Sequence, residues 1–353
     1  MLKTLNLIKF ILVNLPYVIR FFSTFLDNIA VYLSHKKASK GPLFAIWDVT
    51  DRCNCRCVYC DHWENPNAHK ELEVAKKLEI IDRLAEAKVG GISICGGEPL
   101  LADGIERVIK KAKSRGLFIS LDTNGSTLYE EAEKLVRNGL DSIIVSVETL
   151  GFNEHDAIRN HKSLFKKLNS GIEKLRNIRK GSKPYIFIRT LIHKKSYKNL
   201  DNFVLYWKSR VDKIIFQPIH NSPNNFLKVP AGFAIEAEEE QEFKKIYFGV
   251  LKKHPVLNTA YNRLIPEYFF NFEKITRKYR CFQGTFLTDI DSQGNLYSCA
   301  ERLAKFGNLL QDSMLTLWNS EGARQFRRQE KRLNKSCWQA NAITNIYLTK
   351  LLG

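Results

Sequence analysis

From residue 43 onward, short runs of β-branched and aromatic residues alternate with longer segments whose apolar positions recur at helical spacing. The runs LFAIWDV (43–49), GISIC (91–95), LFISLD (117–122), SIIVSVE (142–148), YIFIRTLI (185–192) and KIIFQPI (213–219) predict strands. Between them the spacing predicts helices over 71–88, 103–115, 128–138, 154–179 and 197–209. Six such steps imply an α/β fold with a parallel sheet and helices packed outside it, either an open doubly wound sheet or a partial barrel. Both gather their chemistry at the carboxyl ends of the strands.

The first forty residues follow a different pattern. Residues 5–33 are heavily apolar, but Lys9, Arg20 and Asp27 interrupt them, and the longest uncharged core run, 10–19, has ten residues. A bilayer core needs about 20, and no signal-peptide cleavage site of the small-residue kind follows. At roughly 100° per residue, Asn6, Lys9, Arg20, Thr24 and Asp27 share one side of a helix, and Ile8, Ile11, Leu15, Ile19, Phe22, Leu26 and Leu33 share the other. The segment reads as one amphipathic helix, or as two meeting near Pro16, whose ring interrupts the hydrogen-bond ladder. Two uses stay open: docking on the protein's own core or a dimer partner, and lying in a membrane interface. The phenylalanine-rich face and the following His35, Lys36, Lys37 and Lys40 point to the second.

Composition narrows the class. With 353 residues, 44% hydrophobic and 26% charged, the chain can bury a real core, which excludes global disorder. The net charge of +18 is spread along the chain with no block resembling a nucleic-acid arm, so no nucleic-acid partner is expected. An anionic membrane surface is the partner to which that charge points, against the plainer reading of a solvated basic surface. Eight cysteines in a chain this long, without a signal peptide, suit reduced metal ligands in a cytosol better than a disulfide framework. The expected location is cytoplasmic, peripheral on the cytoplasmic face of the membrane.

Four polar motifs fall at four strand ends: TDRCNCRCVYC (50–60), CGGEP (95–99), TNG (123–125) and SVE (146–148). Cys53, Cys57 and Cys60 have the spacing C-x3-C-x2-C. Three thiolates on one short loop can hold three corners of a cubane iron-sulfur cluster and leave the fourth iron open. A structural zinc would want a fourth ligand, and Cys55 or His62 could supply it, so spacing alone leaves zinc open.

The triad followed by GGEP resembles the radical S-adenosylmethionine (radical SAM) enzymes, and the resemblance spans about residues 43–300. It implies a partial (β/α)6 barrel and a 4Fe-4S cluster on Cys53, Cys57 and Cys60 whose open iron chelates the amino and carboxylate groups of S-adenosylmethionine. It implies too that Gly96, Gly97, Glu98 and Pro99 form the turn meeting that amino group, with the two glycines allowing close backbone approach. By the same resemblance Asn124, Ser146 and Glu148 stand where relatives bind the ribose or carboxylate of the cofactor, and Arg159 and Arg189 are candidate carboxylate partners. The implied chemistry is reductive cleavage to a 5'-deoxyadenosyl radical that takes a hydrogen atom from substrate, fed by an electron donor such as flavodoxin or ferredoxin. Two positions depart from the family pattern. Cys55 replaces an apolar residue and reads as a small buried side chain, and Glu148 replaces the more usual aspartate, with the following glycine displaced to Gly151. The sequence names no catalytic acid, base or hydrogen donor.

After residue 280, CFQGTFLTDIDSQGNLYSC is followed by FGNLL, LWNS and SCW, with a hairpin turn over 291–294. This order resembles the SPASM/twitch extension, in which a hairpin and a helix hold a second cluster, and Cys281, Cys299 and Cys337 map onto its ligands. The expected closing C-x-x-C is absent, since Asn334 and Ala340 flank Cys337 at that spacing. Either the cluster keeps an open iron or a non-cysteine ligand, or it has been lost and the cysteines are relics; a three-cysteine auxiliary 4Fe-4S cluster is the expectation. The chain divides into an amphipathic helix (1–40), a barrel (41–236), a helical connector (237–280) and the extension (281–353). The expected function is that of a radical SAM enzyme on a small-molecule or lipid-like substrate. Radical modification of a ribosomally made peptide is one alternative, disfavoured because forty helical residues cannot build a leader-recognition domain of several strands. A non-catalytic metal-binding scaffold is the other.

Overall fold

The computed structural model describes residues 15–65, 70–222, 226–329 and 341–352. Its six leading strands are β1 (Phe44–Thr50), β2 (Gly91–Gly96), β3 (Phe118–Thr123), β4 (Ser142–Ser146), β5 (Tyr185–Ile192) and β6 (Lys213–Pro218). They pair in parallel in strictly sequential order. A doubly wound sheet reverses its strand order at a switch point. The unbroken order therefore makes this a partial (β/α)6 barrel wound in one sense.

Helices α1 (Leu15–Ser34), α2 (Val74–Glu86), α3 (Ile105–Ser114) and α4 (Leu128–Arg137) lie in the first half of the chain. The continuous helix expected over 154–179 is two, α5 (Phe152–Arg159) and α6 (Leu164–Ile178). Asn160 (φ 46°) and Ser163 (φ 60°) adopt left-handed backbone between them, which a helix cannot carry. Next come α7 (Leu200–Trp207), then α8 (Glu240–Lys253), α9 (Ile265–Phe270) and α10 (Phe272–Lys278) in the connector.

Strand periodicity sorts the side chains into two sets. Ala45, Trp47, Ile92, Ile94, Ile119 and Leu121 are fully buried in the main apolar core. The residues between them, such as Phe44, Ile46, Asp48, Ser93, Cys95 and Asp122, line a cavity of about 660 Å³ on the concave side of the sheet. The extension joins the same sheet: β7 (Leu287–Ile290) pairs in parallel with β1, and β8 (Asn295–Tyr297) and β9 (Lys305–Asn308) continue antiparallel. The expected turn over 291–294 lies between β7 and β8, where the Asp291 carboxylate accepts bonds from the amides of Gln293 and Asn295, both at 2.9 Å. Helices α11 (Met314–Trp318), α12 (Glu321–Arg328) and α13 (Asn341–Leu352) follow.

Helix α1 carries Pro16 in its first turn and crosses the amino-terminal ends of the strands, closing the floor of the barrel. Tyr17 packs on Phe118, Phe21 on Phe44, Phe25 on Phe286 and Tyr32 on Phe282. The orientation inverts what an amphipathic pattern ordinarily means, because the polar side faces inward. Arg20 donates to the carbonyls of Val89 (2.7 Å), Ala85 (2.9 Å) and Arg115 (3.0 Å), Thr24 to Lys88 (2.8 Å), and Asn28 to Gly41 (2.9 Å). Ile19, Phe22, Leu26 and Leu33 remain exposed. Residues 5–14, with Asn6, Ile8, Lys9 and Ile11, lie outside the described residues, and among the latter no helix is long and apolar enough to cross a membrane.

The orientation of α1 has a direct test. Arg20→Ala removes three side-chain hydrogen bonds, to the carbonyls of Val89, Ala85 and Arg115, and should lower stability by about 3 kcal/mol, whereas Phe22→Ala should change it by less than about 0.5 kcal/mol. Urea denaturation of the two variants reads the difference. The reverse ranking would mean that the apolar side is the docked one.

Candidate active site

The loop after β1 brings Cys53, Cys55, Cys57 and Cys60 to the carboxyl end of the barrel, where all four line the cavity. Cys57 is the most strongly activated. Its thiol is pushed down to about 6, first by the hydrogen bond from Cys55 and then by the Arg159 guanidinium, whose Nη1 lies 3.6 Å from Sγ. Burial pushes Cys60 up to about 12. Cys55 is fully buried, its thiol bonded to Cys53 and Cys57 and its pKa raised, as suits a protonated thiol between two sulfurs. His62, the other candidate fourth zinc ligand, directs Nε2 to Asp51 Oδ1 at 2.9 Å, and Asp51 accepts from Ser292 Oγ of the extension at 2.5 Å. Among the described residues no three of His, Cys, Asp and Glu converge as one bound ion requires. A cubane takes a single thiolate at each corner and asks for no such convergence.

The GGEP turn fits tightly beneath this loop. A Cβ on Gly96 (φ 113°) would stand 2.3 Å from the Thr50 carbonyl oxygen, and one on Gly97 would stand 2.2 Å from that of Arg52. The close approach these glycines permit is thus to the cysteine loop itself, and the amides of Gly97 and Glu98 donate to the same two carbonyls at 2.9 and 2.7 Å. The fully buried Glu98 accepts from Thr123 Oγ1 (2.7 Å), the Asn124 amide (2.6 Å) and the Leu100 amide (3.0 Å), so it straps the β2 end to the β3 end. Burial raises its pKa to about 7 despite those donors. Pro99 opens a short 3-10 turn, and Asn124 Nδ2 donates to Asn54 Oδ1 at 2.9 Å, joining the third strand end to the cysteine loop.

Glu148 and Arg159 form a buried pair at 2.5 Å, with Tyr59 donating to the same carboxylate oxygen at 2.8 Å. Burial by itself would raise the Glu148 pKa, but the Arg159 charge, with His155 and His193, brings it below the ordinary value. Arg189 pairs with Asp122 inside the cavity, and Ser146 lies opposite Arg189 in the β4–β5 ladder. Arg189 is therefore engaged by a carboxylate of the protein itself.

Other cavity residues escaped the sequence reading. Cys95 Sγ donates to Asp48 at 3.2 Å, and Arg302 of the extension bridges Asp48 (2.5 Å) and Asp289 (3.3 Å). Tyr59, Asp122, Gln217 and His220 belong here too. The signal was available in part: Asp48 and Asp122 each occupy a cavity-facing position of a strand whose other face is largely apolar, and Asp289 faces the cavity from β7. Cys281 precedes β7 and Cys299 follows β8, while Cys337 lies outside the described residues.

Residues 47–204 match the family model described as the radical SAM superfamily, and residues 281–339 match an iron-sulfur cluster-binding domain. A GTP 3',8-cyclase of Peptoclostridium acidaminophilum is 37% identical over 135 residues, 37% of this chain and 41% of that protein, so the match spans about two fifths of the relative's length. An AdoMet-dependent heme synthase of Methanosarcina barkeri is 24% identical over 83% of this chain and 87% of its own. Among solved structures, Streptococcus suis SuiB bound to S-adenosylmethionine superposes with a TM-score of 0.64 at 17% identity, covering 85% of this chain and 71% of SuiB. That likeness is one of fold.

Removing Arg159 strands a buried carboxylate. Arg159→Ala should destabilise the protein by about 3–5 kcal/mol. The stability contributed by the pair is complete above the ordinary glutamate pKa and is lost as pH falls through the lower value that Glu148 holds when folded. Denaturation measured from neutral to acid pH should show that loss in the native protein and not in the variant.

Proposed function

The chain belongs to the radical SAM superfamily, and from that premise we propose that it reductively cleaves S-adenosylmethionine and acts on an amphipathic, lipid-like small molecule held inside the barrel. The observation that carries this reading is the single cavity shared by the cysteine loop and the barrel interior. Its upper part holds Asp48, Asp122, Arg189 and Asp289, and its lower part is walled by Phe21, Phe44, Phe118 and Leu287. Gln217 Oε1 and His220 Nε2 are buried without a hydrogen-bond partner among the described residues, which suits a polar group entering from the upper part.

The donor set fits a 4Fe-4S cluster: three cavity-facing sulfurs on one loop, the most acidic of them beside a guanidinium. When bound, the cluster and S-adenosylmethionine supply a 5'-deoxyadenosyl radical that takes hydrogen from substrate. Within this reading Arg159 offsets negative charge at Cys57, and Glu148 with Tyr59 fixes the guanidinium in place. Asn124 and Ser146 line the adjoining strand ends, within reach of a bound nucleoside. Asp122 and Arg189 orient the polar end of the substrate, and the aromatic floor keeps water from the lower cavity. Cys281, Cys299 and Cys337 are assigned to an auxiliary cluster, and a flavodoxin or ferredoxin to the electron supply.

Anaerobically reconstituted, reduced protein should convert S-adenosylmethionine to 5'-deoxyadenosine. Cys57→Ala should abolish this, and Cys55→Ala should leave it, as followed by chromatography of the nucleoside. Stoichiometric zinc with no cleavage would sink the reading.

The auxiliary site is tested by iron content. Wild-type protein should bind about eight irons, and Cys281→Ala/Cys299→Ala/Cys337→Ala about four, with cleavage retained. Unchanged iron in the triple variant would show that those cysteines hold none.

A further inference from the structure

We propose that the floor of the barrel is a docking face for an anionic lipid bilayer, held in the interface by the outward sides of α1 and α13. This goes beyond the catalytic reading and does not depend on it. Of the twelve large apolar side chains exposed among the described residues, six lie on these two helices: Ile19, Phe22, Leu26, Leu33, Tyr347 and Leu351. The two helices close the same end of the molecule, because Leu348 and Leu352 of α13 share a cluster with Phe25, Ile29 and Tyr32 of α1. A surface helix normally buries its apolar side and hydrates its polar side. Here α1 uses Arg20, Thr24 and Asn28 to bind loop carbonyls, which leaves its apolar side to find another solvent.

Charge chooses between occupants. Lys36 and Lys37 follow α1 directly and Lys88 lies beside Thr24; all three are exposed and in no ion pair among the described residues. Arg280 donates to Tyr32 at 3.2 Å, which adds a guanidinium beside α1. The carboxylates at this end are already engaged, Asp27 by the amides of Ser39 and Lys40, and Asp82 and Glu86 by Arg115. A second copy would bring the same cationic rim against itself, which is unfavourable, whereas an anionic leaflet complements both the rim and the net charge of +18. The face also backs directly onto the cavity, since Phe21 of α1 and Ile343 of α13 line it from inside.

The test is flotation of the full chain with vesicles of phosphatidylcholine alone or mixed in equal parts with phosphatidylglycerol. Binding should appear only with the anionic vesicles and weaken at high salt. Phe22→Glu/Leu26→Glu should reduce partitioning by at least about tenfold, and Lys36→Glu/Lys37→Glu should reduce it and flatten its salt dependence. Cleavage of S-adenosylmethionine by each reconstituted variant, equal to that of the native protein, shows that the barrel is folded. Native protein that cleaves the cofactor yet ignores anionic vesicles overturns the proposal while leaving the catalytic reading intact. If that protein is a dimer which Phe22→Glu/Leu26→Glu dissociates, the face joins two copies. If it is a monomer that the same substitutions destabilise, the face is covered within the monomer. Vesicle binding without cofactor cleavage would sustain this inference and remove the catalytic one.

Discussion

The Arg159 guanidinium lies buried among a carboxylate, a phenol and a thiol, and the geometry of the cysteine loop follows from how that charge is accommodated. A guanidinium taken from water needs an anion at close range. Glu148 supplies it from the end of β4, and Tyr59 from the loop holds the same oxygen. The backbone joins in, for the Val58 amide donates to the Ile158 carbonyl at 3.0 Å, locking the loop onto the last turn of α5. Helix α5 must therefore stop at Arg159, and the left-handed Asn160 stops it. A helix running through to residue 179 would carry the arginine on a continuous rod. The break lets α5 and α6 pack at separate angles, with Arg159 directed at Cys57.

A second constraint ties the extension to the barrel. Strand β1 is central, with β2 on one side and β7 on the other, so the strand that launches the cysteine loop has no open edge. Side chains repeat the connection: Ser292 to Asp51 fixes the start of the loop, and Arg302 reaches Asp48 on β1. Asp48, Asp122, Asp289 and Arg189 thereby share the upper cavity, and Arg302 pairs with two of those acids. Burial, followed by the nearness of Asp48, raises the Asp289 pKa well above its usual range, while Arg302 draws part of its binding from both acids. Whatever polar group enters must match a set of charges assembled partly by the barrel and partly by the extension.

Local signals in the sequence carried the strands, because β-branched runs bounded by turn residues depend little on tertiary context. All six leading strands and the hairpin over 291–294 lie within a few residues of their expected positions. The cysteine triad and GGEP were legible because both have tight spacing. The roles of Gly96 and Gly97 were only half legible: glycine signals close approach without saying to what, and here it is the backbone of residues 50–52. The pairings Arg159–Glu148, Arg189–Asp122 and Arg302–Asp48 were hidden, since each joins elements distant in sequence and no local pattern records a partner.

Helix α1 shows a deeper limit of periodicity. A 3.6-residue repeat establishes that a helix has two unlike sides, but which side meets protein is decided by what the receiving surface offers. The surface at the amino-terminal ends of a parallel barrel consists of loops entering strands, and loops present carbonyl oxygens that no ladder satisfies. Arg20, Thr24 and Asn28 answer three of these loops, at Gly41, at Lys88 and Val89, and at Arg115, while Phe21 and Phe25 fill the aromatic rim between them. The polar side is thus the better lid for this opening, and the apolar side is displaced outward by the same logic that closes the barrel. The segment for which docking on the core and a membrane interface were both open becomes the floor of the barrel, at the end opposite the cysteine loop. The exposed apolar side of α1 is therefore a consequence of how the barrel is closed, not of what the helix would bury on its own.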